Sequence, residues 1–154
     1  MKNIFIVLIA GLLIGCATPV DRLYSTPSGK VEILINADKK KVTDFFINDY
    51  LSDDFILISQ TPNSLIFESN ELSTGEEIYV SMTLGNSYST NSKQSHLNLI
   101  SVNNGKATRV FFKRIYIAQM PFGQINKSAK KLTNDEFNSF MKYLTNAKFQ
   151  IESK

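Results

Sequence analysis

The chain of 154 residues contains a single cysteine, Cys16, and a single histidine, His96. No disulfide can form within it, so its folded part must be stable from its core alone. With one histidine, a zinc site would have to be built almost wholly from carboxylates, and neither metal nor cofactor is expected. The sequence has no phosphate-binding loop or dinucleotide fingerprint and no serine in a G-x-S-x-G elbow. A Ser-His-Asp triad needs three roles in register, whereas His96 reads as an exposed residue at the start of a strand. Asp53-Asp54 and Glu76-Glu77 read as solvated turn charges, because general acid–base work needs two positioned carboxyls with separated pKa values. No catalytic group is therefore expected. Charge of one sign is also lacking: 17 Lys and Arg against 14 Asp and Glu give +3, too little and too scattered for a phosphate-neutralising nucleic-acid surface. There is no internal repeat, no heptad pattern and no long apolar run. The apolar stretch 4–14 would span about 16 Å as a helix, well under the ~30 Å core of a bilayer.

That stretch is informative in another way. Met1-Lys2 supply a minimal positive n-region, residues 4–14 an uncharged h-region, and Gly15 the small residue needed before a signal-peptidase cut. Leu13-Ile14-Gly15-Cys16 resembles the lipobox of bacterial lipoproteins. The resemblance implies cleavage between Gly15 and Cys16, with a thioether-linked diacylglycerol and an N-acyl chain on Cys16. An ordinary secretory cut near Ala17 and an uncleaved N-terminal anchor are the alternatives. Two or three acyl chains on one residue anchor a protein stably, and the balance after processing falls to +2 because only Lys2 is lost. Ala17, where inner-membrane lipoproteins carry aspartate, implies the outer membrane, on its periplasmic face. The expected organisation is a signal peptide over 1–15, an acylated cysteine and flexible tether over 16–30, and one domain over 31–154. Fully extended, the tether would let the domain work tens of ångströms from the bilayer, at ~3.3 Å per residue.

Within the domain, residues 31–35 (VEILI) read as a strand, and Asp38 as the cap of a helix that carries Val42, Phe45, Phe46 and Tyr50 on one stripe. Residues 55–59 and 65–68 read as a hairpin around Pro62-Asn63. Residues 78–84 alternate Ile78, Val80, Met82 and Leu84 with polar or aromatic residues, which predicts a half-buried strand. Residues 85–95 read as a Ser/Asn-rich loop. Residues 97–102 and 108–118 flank Asn103-Asn104-Gly105, a tight-hairpin signal. Thr133 with Glu136 forms a capping box before a helix bearing Phe137, Phe140, Met141 and Leu144. The clusters Lys39-Lys40-Lys41 and Lys127, Lys130 and Lys131 read as solvated surface, being shorter than the 4–8 cations of a lipid-binding patch.

The expected fold class is α+β: β-α, then about five antiparallel strands, then a long C-terminal helix covering the sheet. Over about 31–151 this order resembles the helix-grip or START-like fold. The lipobox, Ser59-Gln60-Thr61-Pro62-Asn63-Ser64-Leu65-Ile66-Phe67-Glu68, and Ala107-Thr108-Arg109-Val110 resemble small, uncharacterised Gram-negative outer-membrane lipoproteins, which implies fold and envelope location but carries over no activity. Helix-grip domains also occur in a lipoprotein of the outer-membrane protein assembly machinery, which this chain does not match residue by residue.

Two functions fit these features. The first is a non-catalytic, lipid-anchored module that binds an envelope protein partner or serves as an accessory part of an envelope complex, with Met120 and Phe122 as partner contacts unless Phe122 plugs the end of the core. The second is a small-ligand or lipid-binding domain that uses space between sheet and C-terminal helix. There, alternation places Arg114 and Tyr116 on the face of Val110 and Phe112, with Arg114 and the Tyr116 hydroxyl as polar contacts, and Arg114 would meet an anionic head group; a β-bulge, a mixed face or an edge location would instead return Arg114 to solvent.

Overall fold

The computed structural model describes residues 20–84, 90–119 and 125–153. Its elements run β1 (Glu32–Ile35), α1 (Lys39–Ser52), β2 (Ile56–Thr61), β3 (Ser64–Ser69), α2 (Thr74–Leu84), β4 (Thr90–Val102), β5 (Ala107–Gln119), β6 (Ile125–Ser128) and α3 (Asn134–Glu152). The six strands form one antiparallel sheet in the order β1-β5-β4-β3-β2, with β6 also paired to β5. The class is α+β, and the C-terminal helix packs on the sheet in the manner of a helix-grip domain.

Local chemistry accounts for most of these elements. The Asp38 side chain accepts from the Lys41 N–H at 2.9 Å and opens α1, which buries Val42, Phe46 and Tyr50 one turn apart. The β2–β3 turn is the two-residue Pro62-Asn63. The β4–β5 turn is longer than a tight hairpin. Asn103, Asn104 and Gly105 are all left-handed, with φ of 53°, 54° and 85°, and Lys106 completes a four-residue loop between paired Val102 and Ala107. Asn and Gly are the residues that tolerate this backbone. Thr133 and Glu136 form a reciprocal capping box at the start of α3.

Residues 78–84 correct the sequence reading: they are the helix α2, not a strand. The decisive signal lies upstream. The Ser73 N–H donates to the Glu76 carboxylate at 2.9 Å, and the Glu76 N–H to Ser73 Oγ at 3.4 Å, a second capping box of the kind found at Thr133. As a helix, the segment buries Val80 and leaves Ile78 and Met82 exposed. Glu76-Glu77 therefore sit in the first turn of a helix rather than in a solvated turn. The missing strand is supplied elsewhere. β4 begins at Thr90, inside the expected loop, so His96 lies mid-strand, half-buried, with Nε2 3.1 Å from Gln94 Oε1. β6 makes up the fifth strand after α1.

The main core fills the space between α1, α3 and one sheet face, around Phe46, Phe67, Leu97, Val110, Phe137 and Leu144; Tyr50 stacks on Phe67 with centroids 4.3 Å apart. A smaller core of Val80, Tyr116 and Ala118 lies under α2. β1 and β6 share one edge of β5: β1 covers Thr108–Phe111 and β6 covers Tyr116–Gln119. Between them, beyond the hydrogen bond from Phe112 N–H to Val31 carbonyl at 3.0 Å, that edge of β5 has no strand neighbour among the described residues.

The described part of the expected tether packs on the domain. Asn138, buried on α3, accepts from the Leu23 N–H at 2.8 Å and donates to the Asp21 carbonyl at 2.9 Å. One turn earlier, Asn134 donates to the Val20 carbonyl at 2.8 Å and accepts from Arg22 Nε at 3.1 Å. The Arg22 guanidinium lies 4.2 Å over the Phe137 ring.

Candidate functional site

Alternation along β5 places Arg114 on the inner face with Phe112 and Tyr116, in the seam between the two cores. No bulge interrupts its register with β4, where it pairs with Ser95. Its side chain is only 10% exposed. Its guanidinium lies 5.3–5.9 Å from the ring centres of Phe140, Phe112 and Phe55. A guanidinium is a fork of N–H donors with no acceptor, and each buried N–H needs an acceptor.

The nearest carboxylate is already engaged. Glu76 accepts from Tyr116 Oη at 3.0 Å, from Lys93 Nζ at 3.1 Å and from the Ser73 N–H. Burial pushes its carboxyl up, but these donors and the Lys93 charge outweigh burial and hold it below the usual range. Arg114 Nη1 stands 3.9 Å from Glu76 Oε1, too far for a hydrogen bond. Nε and Nη1 are buried with no hydrogen-bond partner among the described residues. Burial, the Glu76 charge and its hydrogen bond to Glu76 push the Tyr116 hydroxyl well above its ordinary value, so it is a neutral donor.

Arg114 lines a cleft of about 570 Å³ that opens where β5 lacks a strand neighbour. Among the described residues its walls carry six cationic residues, Arg22, Lys30, Lys113, Arg114, Lys130 and Lys131, and no carboxylate; Val31, Phe111, Phe112, Leu132 and Phe137 supply an apolar lining. Lys130 is partly neutralised by Glu136 at 2.6 Å. On the other side, Arg114 borders a second pocket of about 260 Å³, lined by Tyr50, Asp53, Phe55, Ser139, Phe140 and Tyr143. The Tyr143 hydroxyl donates to Asp49 at 2.5 Å, and burial together with Tyr50 and Asp49 raises its pKa. One guanidinium thus stands between a cleft at the open edge of β5 and a smaller pocket beside α3.

Of the residues singled out from sequence, Arg114 and Tyr116 come together, but only Arg114 lines the cleft; Tyr116 holds Glu76 behind it. His96 is on the opposite face, and burial, followed by Lys113 and Lys127, lowers its pKa. Gly15, Cys16, Met120 and Phe122 lie outside the described residues. Sequence reading did not foresee that Arg22, Lys30, Lys130 and Lys131 line one cleft with Arg114; the i, i+4 spacing of Asn134 and Asn138 is the local sign of the clasp that brings Arg22 there. Among the described residues, no three His, Cys, Asp or Glu side chains are grouped to hold a metal, and no helix is long and apolar enough to cross a membrane. No known protein family, curated protein or solved structure matches this chain.

Proposed function

We propose that this is a non-catalytic, lipid-anchored outer-membrane protein whose domain binds an anionic amphiphile, with the head group at Arg114 and the apolar part along Phe112, Leu132 and Phe137. The observation that carries the reading is the buried Arg114 guanidinium, whose Nε and Nη1 have no hydrogen-bond partner among the described residues, in the wall of a cleft that those residues line with cations and no carboxylate. A phosphate or carboxylate oxygen is the acceptor such a fork takes best. The cleft volume falls within the ~300–1,000 Å³ typical of small-molecule sites. Titration calorimetry with submicellar dihexanoyl phosphatidylglycerol, against dihexanoyl phosphatidylcholine, tests it: saturable binding of the first and at least tenfold weaker binding of the second is expected. Equal affinity for both, or binding of neither, refutes it.

A second reading, a module for an envelope protein partner, is favoured by β2. It is an edge strand of the sheet whose Ile56 and Ile58 are 64% and 47% exposed, and open apolar edges pair with other strands. Envelope crosslinking that returns one reproducible partner, lost on Ile58→Lys, supports it; the absence of any reproducible partner counts against it.

A further inference from the structure

The cleft and the anchor share one segment of chain. Residues 20–23 are clasped to the first turns of α3 by Asn134 and Asn138, and Arg22 and Lys30 of the same segment stand in the cleft wall. Cys16 precedes Val20 by four residues. Whatever path those residues take, four residues reach at most about 14 Å. The freedom expected of a long tether is therefore largely removed by the clasp. An anchor at Cys16 would hold the N-terminal end of α3, and the mouth of the cleft beside it, close to the lipid head groups.

We infer that the domain is oriented with its cationic cleft against the bilayer, and that the occupant of the cleft is the head group of an anionic phospholipid from the anchoring leaflet. The inference rests on the acylated Cys16 and on the anion-binding reading above. Charge complementarity supports it. Arg22, Lys30, Lys131 and the partly neutralised Lys130 stand at the mouth, with Lys113 reaching it from the opposite sheet face and Arg114 behind them, which reaches the number of cations that recognises anionic lipid. Lys130 and Lys131, too few for a lipid patch on their own, become part of one once residues 20–30 and β5 bring the others. The opposite end of the domain, with the β4–β5 turn and the C-terminus of α3, lies one helix length away, about 28 Å for 19 residues.

The acylated, mature protein in vesicles tests this. An acylated Cys16 is not a free thiol, so an introduced cysteine is the only labelling site. A fluorophore is placed through Ala129→Cys, beside the cleft, or through Lys106→Cys, at the β4–β5 turn, and quenched by head-group-labelled nitroxide lipid. In vesicles containing phosphatidylglycerol, at least threefold stronger quenching of the Ala129→Cys probe is expected. Adding Asn138→Leu, which opens the clasp, should bring the two probes within a factor of about 1.5. Equal quenching of both probes with the clasp intact overturns the orientation, as does stronger quenching at Lys106→Cys, and a mature protein without acyl chains by intact mass overturns its premise. The calorimetric titration separates the remaining cases: soluble phosphatidylglycerol bound with equal quenching refutes the orientation alone. Unequal quenching without binding of the soluble lipid refutes the occupied site, and with it the inference as stated. A soluble phosphate bound as tightly as the lipid would make the occupant a free anion rather than a membrane head group, and would also overturn it.

Discussion

Replacing Arg114 with methionine should make the protein more stable and less able to bind. Methionine keeps the length of the arginine stem and sits well among Phe55, Phe112 and Phe140, since thioethers pack favourably against rings. The substitution removes two buried guanidinium nitrogens that have no hydrogen-bond partner among the described residues, each of which costs about 1–3 kcal/mol. It also removes three ring contacts near the outer limit of cation–π range, worth about 0.5–1 kcal/mol each, and the attraction to Glu76. Glu76 is not left unpaired, because Lys93, Tyr116 and the Ser73 N–H still hold it. Replacing a buried charge by a well-packed apolar side chain is often stabilising. The expected net gain is about 1 kcal/mol, a rise in Tm of roughly 2–4 °C for a chain of this size, measured by circular dichroism or differential scanning fluorimetry without ligand. Binding of dihexanoyl phosphatidylglycerol should weaken by about 10- to 100-fold, the value of a charge-assisted hydrogen bond. A fall in Tm of 4 °C or more would refute the argument, because it would mean that Arg114 holds the two cores together rather than waiting for a ligand.

Stability should also depend on pH in two separate windows. Glu76 and Glu136 have folded-state pKa values below their unfolded ones, so their contribution is present above the unfolded value of about 4.3 and is lost as pH falls through the folded values; chemical denaturation of Glu76→Gln should show a shallower acid limb below about pH 4. The lowered His96 acts in the window below its unfolded value of about 6.5: the unfolded chain takes up the proton first, stability falls as pH drops, and His96→Gln should flatten that part of the curve. Thr133→Ala, which removes the N-cap of α3, should cost about 1 kcal/mol and lower Tm by roughly 2–4 °C.

The parts of the fold that sequence made legible are those in which side-chain pattern and local cap or turn chemistry agree. Asp38 with the stripe Val42, Phe46 and Tyr50 is one case; Thr133 and Glu136 ahead of Phe137 and Met141 is another. Residues 78–84 failed because a seven-residue alternation fits a strand while their start signal, Ser73 with Glu76, lies outside the window. The first half of β4 failed for the opposite reason. Ser92, Gln94 and Ser95 are buried but polar, and Ser92 and Gln94 are stabilised by hydrogen bonds to Glu68 on β3, a partner that exists only after the strands pair. The same distinction divides the site. A period of two places Arg114 beside Phe112, but Arg22 and Lys30 approach from positions 92 and 84 residues earlier, through a clasp and a gap that no local pattern encodes.

The gap along β5 has a mechanical meaning. The main core and the small core under α2 are joined chiefly by the β4–β5 ribbon, thirteen pairs long, and β1 and β6 grip the same edge of β5 from the two sides without touching the stretch between. That stretch of β5 is held on one side only, by its pairing with β4, so the cleft beside it lies where the sheet has least lateral support. If the proposed ligand binds there, bending of the ribbon at Arg114 would admit it on the timescale of collective motions rather than of local unfolding.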